Sequence, residues 1–340
     1  MRNTLTLIFF PLSILMGSSA LAQTTVRGQV FDDFTKEPLY GVSVYFDGTT
    51  IGTITDEEGY FEITTPRPIT ALLVVTFIGY KSQIFKDIKK KDLGKIFLKE
   101  SAFQLDEVIL EPDTWSREKK WNIFKREFLG QGASALGCKI TNGEKVRLYY
   151  SRSKDALFAY TDEPIQVENS YLGYQIAYDV QDFEVFFEYD EKGNHVPKSV
   201  FFLGTLLFSE LDGSLARKRY VRNREKAYFG SVLHFMRALS ERRLLENDFK
   251  VYRNSRQVDP YLEFRLRNTN GFVMVKPVSD SLTIRYKIDR SMMKVNGDAF
   301  LIDGYGNFSP SKSVQFGGVL GRQRVALMLP LDYIEPMPSN

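Results

Sequence analysis

The sequence predicts a mainly β protein, in which an N-terminal β-sandwich precedes a β-rich domain that carries one or two helices. Short apolar strands with a period of two recur at regular spacing over residues 24–110. Strong turn signals separate these strands. The same alternation returns after residue 139 and continues toward the C-terminus. Regularly spaced short strands with such turns are typical of a β-sandwich.

The composition is that of a globular protein. Of the 340 residues, 43% are hydrophobic and 26% are charged, which excludes a wholly disordered chain. Lysine and arginine total 45 against 42 aspartates and glutamates, so the net charge is +3. A dedicated nucleic-acid-binding protein usually carries a larger basic excess. The sequence therefore predicts no nucleic-acid partner.

The predicted sandwich occupies residues 24–110. Val26 and Val30 share one face of a strand, and Val42 and Val44 repeat the same period. Aspartate and glycine are frequent in the segments between the strands, at 32–38, 47–48 and 56–59. Pro38 fixes its φ angle at the end of 32–38, and Gly48 and Gly59 can adopt the positive φ angles that tight turns need, so these segments are predicted turns.

A helix and a second β-rich region are predicted after the sandwich. Residues 111–130 contain the predicted linker helix, because Trp121, Phe124 and Phe128 recur at helical spacing. This aromatic stripe is interpreted as a packing face between the two parts of the chain. Residues 131–340 are predicted to form a β-rich domain of unknown function. Within it, strands are expected at 261–267 and 282–289, and one continuous helix is expected at 228–239.

The N-terminus predicts export. Arg2 precedes the apolar run 5–15, and the small residues that end at Ala22 are typical of a signal-peptide cleavage site, so residues 1–22 are predicted to be a signal peptide. We therefore expect a protein that is periplasmic or associated with the outer membrane. No later stretch has the length and apolar content of a transmembrane helix. The single cysteine, Cys138, is expected to be buried and inert.

Three stretches of the first module resemble the carboxypeptidase regulatory-like domain. They are Gly28-x-Val30-x-Asp32-x-x-Thr35-x-x-Pro38-Leu39-x-Gly41-Val42-x-Val44, Gly48-Thr49-x-x-Gly52-Thr53-x-Thr55-Asp56-x-x-Gly59-x-Phe61, and Phe77-Ile78-Gly79-Tyr80. The resemblance implies a seven-stranded, transthyretin-like β-sandwich. Such domains occur beside metallocarboxypeptidases and, in Gram-negative envelopes, at the N-terminus of TonB-dependent outer-membrane receptors. The segment 105–109 also resembles the one that follows the domain in such receptors.

The resemblance does not imply a catalytic centre. Metallocarboxypeptidases bind zinc through a His-x-x-Glu pair, whereas His195 is followed by Lys198 and His234 by Arg237. We therefore expect no metal, no cofactor and no enzyme activity. Blocks of the second module at 128–140, 223–235 and 305–333 resemble the C-terminal region of exported carboxypeptidase-regulatory-like proteins, a resemblance that implies no activity.

The strongest charge feature is a basic segment in the second module. Six cations lie within ten residues: Arg217, Lys218, Arg219, Arg222, Arg224 and Lys226. In an exported protein such a segment is a candidate binding surface for an acidic envelope protein, an acidic glycan or a lipid phosphate. The alternative is a solvated face whose cations pair with the acidic segment 179–191.

The leading hypothesis is a non-enzymatic binding protein of the cell envelope that docks to an outer-membrane or periplasmic partner. An alternative is a carbohydrate-binding accessory protein that stacks sugars on exposed rings of Tyr171, Tyr174 and Tyr178. A third hypothesis is a hydrolase, which would need Ser231, His234 or the region of Glu184 in one cleft.

Overall fold

The structure, a computed structural model, describes residues 24–86, 88, 91–101, 112–211 and 217–334. Strands far outnumber helices in these ranges, so the predicted mainly β fold is confirmed. The predicted signal peptide at 1–22 and the segment 105–109 lie outside the described residues. Three separate hydrophobic clusters form the interior of the protein.

Within the described part of 24–101, seven strands form the N-terminal sandwich, as expected. They are β1 (Thr24–Asp32), β2 (Ser43–Phe46), β3 (Gly52–Ile54), β4 (Tyr60–Thr65), β5 (Leu73–Thr76), β6 (Gln83–Phe85) and β7 (Asp92–Leu98). One sheet has the order β4-β1-β7, and the other has the order β3-β2-β5-β6. Val26, Val44 and Phe46 are fully buried between the sheets. The period of two produces this core because successive side chains of a strand point to opposite faces.

The second core is built by the elements between 117 and 210. They are α1 (Arg117–Leu129), α2 (Gly132–Leu136), β8 (Cys138–Ile140), β9 (Arg147–Ser151), β10 (Ala156–Tyr160), β11 (Ile165–Asn169), β12 (Tyr174–Tyr189) and β13 (His195–Glu210). The long strand β12 organises the sheet. One of its edges pairs with β13 along an antiparallel hairpin, and the other pairs with β11 and then with β10.

Helix α1 covers one face of this sheet. The Ser116 hydroxyl caps the helix by accepting the Lys119 amide at 3.2 Å, and the helix ends at Gly130 with a φ of 97°. The Phe124 ring lies 4.9 Å from the Phe183 ring, and both are buried in the second core. The aromatic stripe of the predicted linker helix therefore packs against the sheet that follows it, and its interpretation as a packing face between the two parts of the chain is wrong.

Helix α3 (Arg217–Tyr228) follows the second sheet and buries Ala227 in the second core. The third core is built by the elements after α3. They are α4 (Val232–Ser240), β14 (Phe249–Arg253), β15 (Arg256–Val258), α5 (Pro260–Glu263), β16 (Phe264–Thr269), β17 (Phe272–Pro277), β18 (Ser281–Tyr286), β19 (Asp289–Val295), β20 (Phe300–Ile302), β21 (Phe308–Ser309) and β22 (Val314–Gly318). Two sheets, β15-β14-β18-β19-β22 and β16-β17-β20-β21, enclose this core together with Phe235 and Leu239 of α4. The region 131–340, which was predicted as one domain, thus contains two hydrophobic clusters.

The prediction of one continuous helix at 228–239 is wrong. Helix α3 ends at Tyr228, because Gly230 has a φ of 81° that interrupts helical geometry. The Ser231 hydroxyl then caps α4 by accepting the His234 amide at 3.0 Å. The turn at Gly230 and the cap at Ser231 therefore divide the segment into two helices, although apolar residues continue to recur at helical spacing through it.

The two strands expected in the third core are shorter than predicted. Asp259 caps the short helix α5 and Pro260 occupies its first turn, so the strand expected from 261 begins only at Phe264. The strand expected at 282–289 ends at Tyr286, where a tight turn with Lys287 at a φ of 52° leads into β19. Capping and turn geometry set both limits.

Candidate interaction surfaces

The N-terminal sandwich is fixed to the second core by the turn that joins β2 to β3. This junction turn, residues 47–50, lies between β13 and the C-terminal segment 331–332. The Gly48 amide donates to the Leu206 carbonyl at 2.7 Å, and the Leu331 amide donates to the Gly48 carbonyl at 2.7 Å. The Phe208 amide donates to the Thr49 carbonyl at 3.0 Å. The junction turn is thus bonded through its backbone on two sides.

The junction turn also adds a half-buried carboxylate, that of Asp47, to this contact. The Leu206 amide donates to the Asp47 carboxylate at 2.8 Å. Burial raises the pKa of Asp47 to about 6, although the bonds from the Leu206 and Gly48 amides oppose this shift. The Tyr45 and Thr205 hydroxyls lie 3.1 Å apart in the same contact. The two parts of the chain therefore meet through satisfied polar groups.

A second contact joins the sandwich to the third core. The buried Asp303 carboxylate accepts hydrogen bonds from the amide and the hydroxyl of Thr70, at 2.8 and 2.9 Å. It also accepts the amides of Tyr305 and Asn307, at 2.9 and 3.0 Å. The junction turn and the Thr70–Asp303 contact therefore hold the sandwich against the second core and the third core, respectively.

The structure divides the six cations of the basic segment into two groups. Arg224 is structural, because its guanidinium donates to the Leu172 carbonyl at 2.7 Å and to the Gly173 carbonyl at 3.1 Å. It also pairs with Glu210 at 3.0 Å and lies 3.9 Å from the centre of the Tyr174 ring. Arg224 therefore fixes α3 to the β11–β12 turn and is not available to a partner.

The other five cations form the basic surface of α3. All are exposed, and they comprise Arg217, Lys218, Arg219, Arg222 and Lys226. Arg219 donates to the Ser170 carbonyl at 3.1 Å. No carboxylate in the described ranges forms an ion pair with these five, and the acidic segment bonds elsewhere: Asp179 to Ser82, and Asp190 to Asn194. The expected pairing between the two segments is not present among the described residues.

The exposure predicted for two of the three tyrosine rings, those of Tyr174 and Tyr178, is wrong. Tyr174 is only 2% exposed and Tyr178 only 3%, because both point from β12 into the second core. Tyr171 is partly buried against the same core. A sugar stacks on an accessible ring face, and Tyr174 and Tyr178 present none.

The residues required by a hydrolase do not share a cleft. Ser231 and His234 are buried beside the third core, whereas Glu184 lies on β12 in the sheet of the second core. The Gly230 amide donates to His234 Nδ1 at 3.0 Å, and Nε2 lies 3.0 Å from the Asn247 Oδ1 acceptor, so both ring nitrogens are used. Within the described ranges, no group of three or more histidine, cysteine or acidic side chains is placed to hold a metal ion.

A basic cleft beside β13 was not predicted from the sequence. It encloses about 870 Å³, and residues 197–200 of β13 form one wall. Four cations line it: Arg126, Lys198, Arg322 and Arg324. They come from three distant segments of the chain, so no local charge run marks them. We call this site the β13 cleft.

Next to the cleft, β13 exposes large apolar side chains. Phe201 is 43% exposed and Leu203 is 39% exposed, while Val200 and Phe202 pack against the second core. The sequence signal for this strand is the uninterrupted apolar run 200–203, which places apolar residues on both faces. The protein thus has two candidate interaction surfaces, the basic surface of α3 and the edge of β13.

In the described ranges, no helix has both the length and the apolar content that crossing a membrane requires. Resemblance to solved structures is limited. A chain of a type II cohesin–X-dockerin complex from Acetivibrio cellulolyticus is 31% identical with a TM-score of 0.19, over 21% of this chain and 52% of that one. A 9R-lipoxygenase from Cyanothece is 13% identical with a TM-score of 0.20, over 67% and 46% of the two chains.

Sequence comparison is more informative for the N-terminal module. Over 98 residues the chain is 37% identical to the TonB-dependent receptor SusC of Bacteroides thetaiotaomicron, in the N-terminal region of that protein. The aligned part is 28% of this chain and 9% of the receptor, so the chain spans a small part of this relative. Residues 26–110 match the CarboxypepD_reg-like family model, and those of them that the structure describes, up to residue 101, form the two-sheet sandwich given above. This part of the protein is a CarboxypepD_reg-like domain, homologous to the N-terminal region of SusC.

Proposed function

We propose that this chain is a non-enzymatic interaction protein of the Gram-negative cell envelope. In this proposal it docks to an acidic outer-membrane or periplasmic protein through the basic surface of α3. The observation that carries the proposal is the exposure of five cations with no carboxylate partner among the described residues. Homology between the N-terminal module and a TonB-dependent receptor supports the envelope location.

The anchoring of α3 makes this surface suitable for binding. Arg224 and Asn223 hold the helix on the β11–β12 turn, the latter by donating to the Tyr171 carbonyl at 2.8 Å. The exposed cations are therefore presented on a fixed backbone. A cluster of like charges attracts an oppositely charged partner over about a Debye length, which is about 8 Å at physiological salt. A fixed cluster also loses less conformational entropy on binding than a disordered one.

The buried positions of Ser231 and His234 support the non-enzymatic part of the proposal. Ser231 Oγ accepts the amide that caps α4, and both nitrogens of the His234 ring lie against hydrogen-bonding groups. A general base needs a free lone pair that faces substrate. In their present contacts these two side chains have structural roles.

The test is site-specific photocrosslinking in cells that express the full chain. A photoreactive amino acid at Lys218 should capture a specific envelope protein, and a matched probe at exposed Lys250 on β14 should not. Because the attraction is electrostatic, raising salt from about 0.05 to about 0.5 M should weaken binding of the captured partner to the purified protein at least about tenfold.

The double variant Arg217→Glu with Arg222→Glu tests the charge directly. It should reduce the Lys218 crosslink at least about tenfold while leaving thermal stability unchanged, because both side chains are exposed. Retention of the crosslink in this variant would overturn the proposal. Equal capture of the same protein from Lys250 would overturn it too.

A further inference from the structure

The β13 cleft contains cations whose charge is not balanced by nearby carboxylates. Arg324 is half-buried, and its guanidinium donates to the Gly321 and Gln323 carbonyls at 3.1 Å each. Arg322 is exposed, and no acid in the described ranges pairs with it. Two of the four cleft cations have a carboxylate partner, Arg126 with Glu127 at 2.7 Å and Lys198 with Glu188 at 4.0 Å, and Arg322 and Arg324 form no ion pair among the described residues. The cleft therefore has a positive charge that an anionic ligand would neutralise.

One wall of this cleft is the free edge of a strand. Among the described strands β13 pairs only with β12, and the junction turn covers its other edge at Leu206–Phe208. At the opposite end Pro197 lacks an amide hydrogen, which limits pairing there. The stretch Ser199–Leu203 thus has backbone groups that can accept a further strand. Free edges of this kind are the sites at which extended peptides add to a sheet.

The two faces of β13 would require different side chains in an added strand. Val200 and Phe202 face the second core, and the Arg324 guanidinium lies 5.8 Å from the centre of the Phe202 ring. Phe201 and Leu203 point to the opposite face and are exposed. Side chains of an added strand also alternate between the two faces. Side chains on one face of the added strand would contact the arginines of the β13 cleft, and those on the other face would contact Phe201 and Leu203.

We propose that the β13 edge binds an extended peptide segment of a partner protein, in which carboxylate residues alternate with apolar residues. The carboxylates bind the cations of the β13 cleft, and the apolar side chains cover Phe201 and Leu203. The backbone of the segment pairs with Ser199–Leu203, about 17 Å of strand at about 3.4 Å per residue. This site is separate from the basic surface of α3 and does not depend on the function proposed above.

The experiment uses fluorescence anisotropy with the full chain and synthetic octapeptides. An acetylated, labelled peptide that alternates valine with glutamate should bind, and one that alternates valine with lysine should not bind measurably. A valine–glutamate peptide that is N-methylated at alternate residues keeps its charge and loses backbone donors. It should bind at least about tenfold more weakly.

Protein variants test the same site. The double variant Lys198→Glu with Arg322→Glu should weaken binding of the valine–glutamate peptide at least about tenfold. Both side chains are exposed, so the variant should fold. The matched control, Lys250→Glu with Arg256→Glu, makes the same charge change on β14 and β15 and should leave binding unchanged.

Three results would overturn the proposal. Equal binding of the lysine peptide would show that charge is not recognised. Equal binding of the N-methylated peptide would show that no strand is added. Equal loss of affinity in both charge-reversal variants would show that the net charge of the protein, rather than the β13 cleft, attracts the peptide.

Discussion

Gly204 in β13 lies so close to Asp179 in β12 that a Cβ atom added to it would be 2.2 Å from the Asp179 carbonyl oxygen. The neighbouring atom belongs to the backbone, so no side-chain rotation can relieve the contact. The approach occurs beside the irregularity between Val180 and Asp182, where the register of the hairpin shifts by one residue. Close packing of the two strands here requires glycine at position 204.

Gly204→Ala should therefore lower the free energy of unfolding by about 2 to 4 kcal/mol, because the backbone of the long hairpin must move. Urea unfolding followed by circular dichroism measures this change. The matched control is Gly317→Ala in β22, where the nearest atom to an added Cβ is in the Met292 side chain at 3.7 Å. An equal effect of both substitutions would contradict the packing account.

Asp303→Ala should destabilise the protein by about 2 to 4 kcal/mol. The substitution leaves the amides of Thr70, Tyr305 and Asn307 without their buried acceptor, and each unsatisfied donor has a desolvation cost. Thermal unfolding should show a lower melting temperature. Asp298→Ala, at an exposed carboxylate nearby in sequence, should change the melting temperature little. An unchanged melting temperature in Asp303→Ala would show that this contact between the sandwich and the third core contributes no stability.

Asp47 predicts a dependence of stability on pH. Its pKa is about 6 in the folded protein against an ordinary 3.8, so the folded state holds the proton more tightly than the unfolded state. The stabilisation from this group is complete below about pH 4 and is lost as the pH rises through about 6. The loss amounts to at most about 3 kcal/mol.

Asp47→Asn should remove this dependence, because an asparagine oxygen can still accept the Leu206 amide without a charge. Relative to the wild type, the variant should therefore become more stable as the pH rises from 4 to 7. Urea unfolding of both proteins at several pH values gives the difference. Parallel pH profiles would show that Asp47 does not titrate in this range.

Cys138 should react slowly with thiol reagents. Burial raises the pKa of its thiol to about 12, so very little thiolate is present at neutral pH. Alkylation by iodoacetamide at pH 7.4 should be at least about a hundredfold slower in the folded protein than in urea. Fast labelling of the folded protein would show that the thiol is more accessible than its half-buried position indicates.

Local patterns predicted the elements well where packing agrees with them. The period of two placed Val26 and Val44 in the core of the sandwich, and helical spacing predicted the helix that carries Phe124 and Phe128, although not the sheet against which they pack. The patterns failed at caps and turns. Gly230 and Ser231 divide a helix whose apolar spacing is continuous, because a positive φ and a hydroxyl cap act on one turn only.

The mainly β class, the seven-stranded N-terminal module with its family, and the concentration of cations at 217–226 follow from local patterns in the sequence. The burial of Tyr174 and Tyr178 depends on tertiary packing, because the pattern of a strand does not say which of its faces another element covers. Likewise, Arg224 has a structural role because its guanidinium donates hydrogen bonds to carbonyls of the β11–β12 turn. The β13 cleft unites residues from 126 to 324, and such contacts depend on long-range packing that no local pattern encodes.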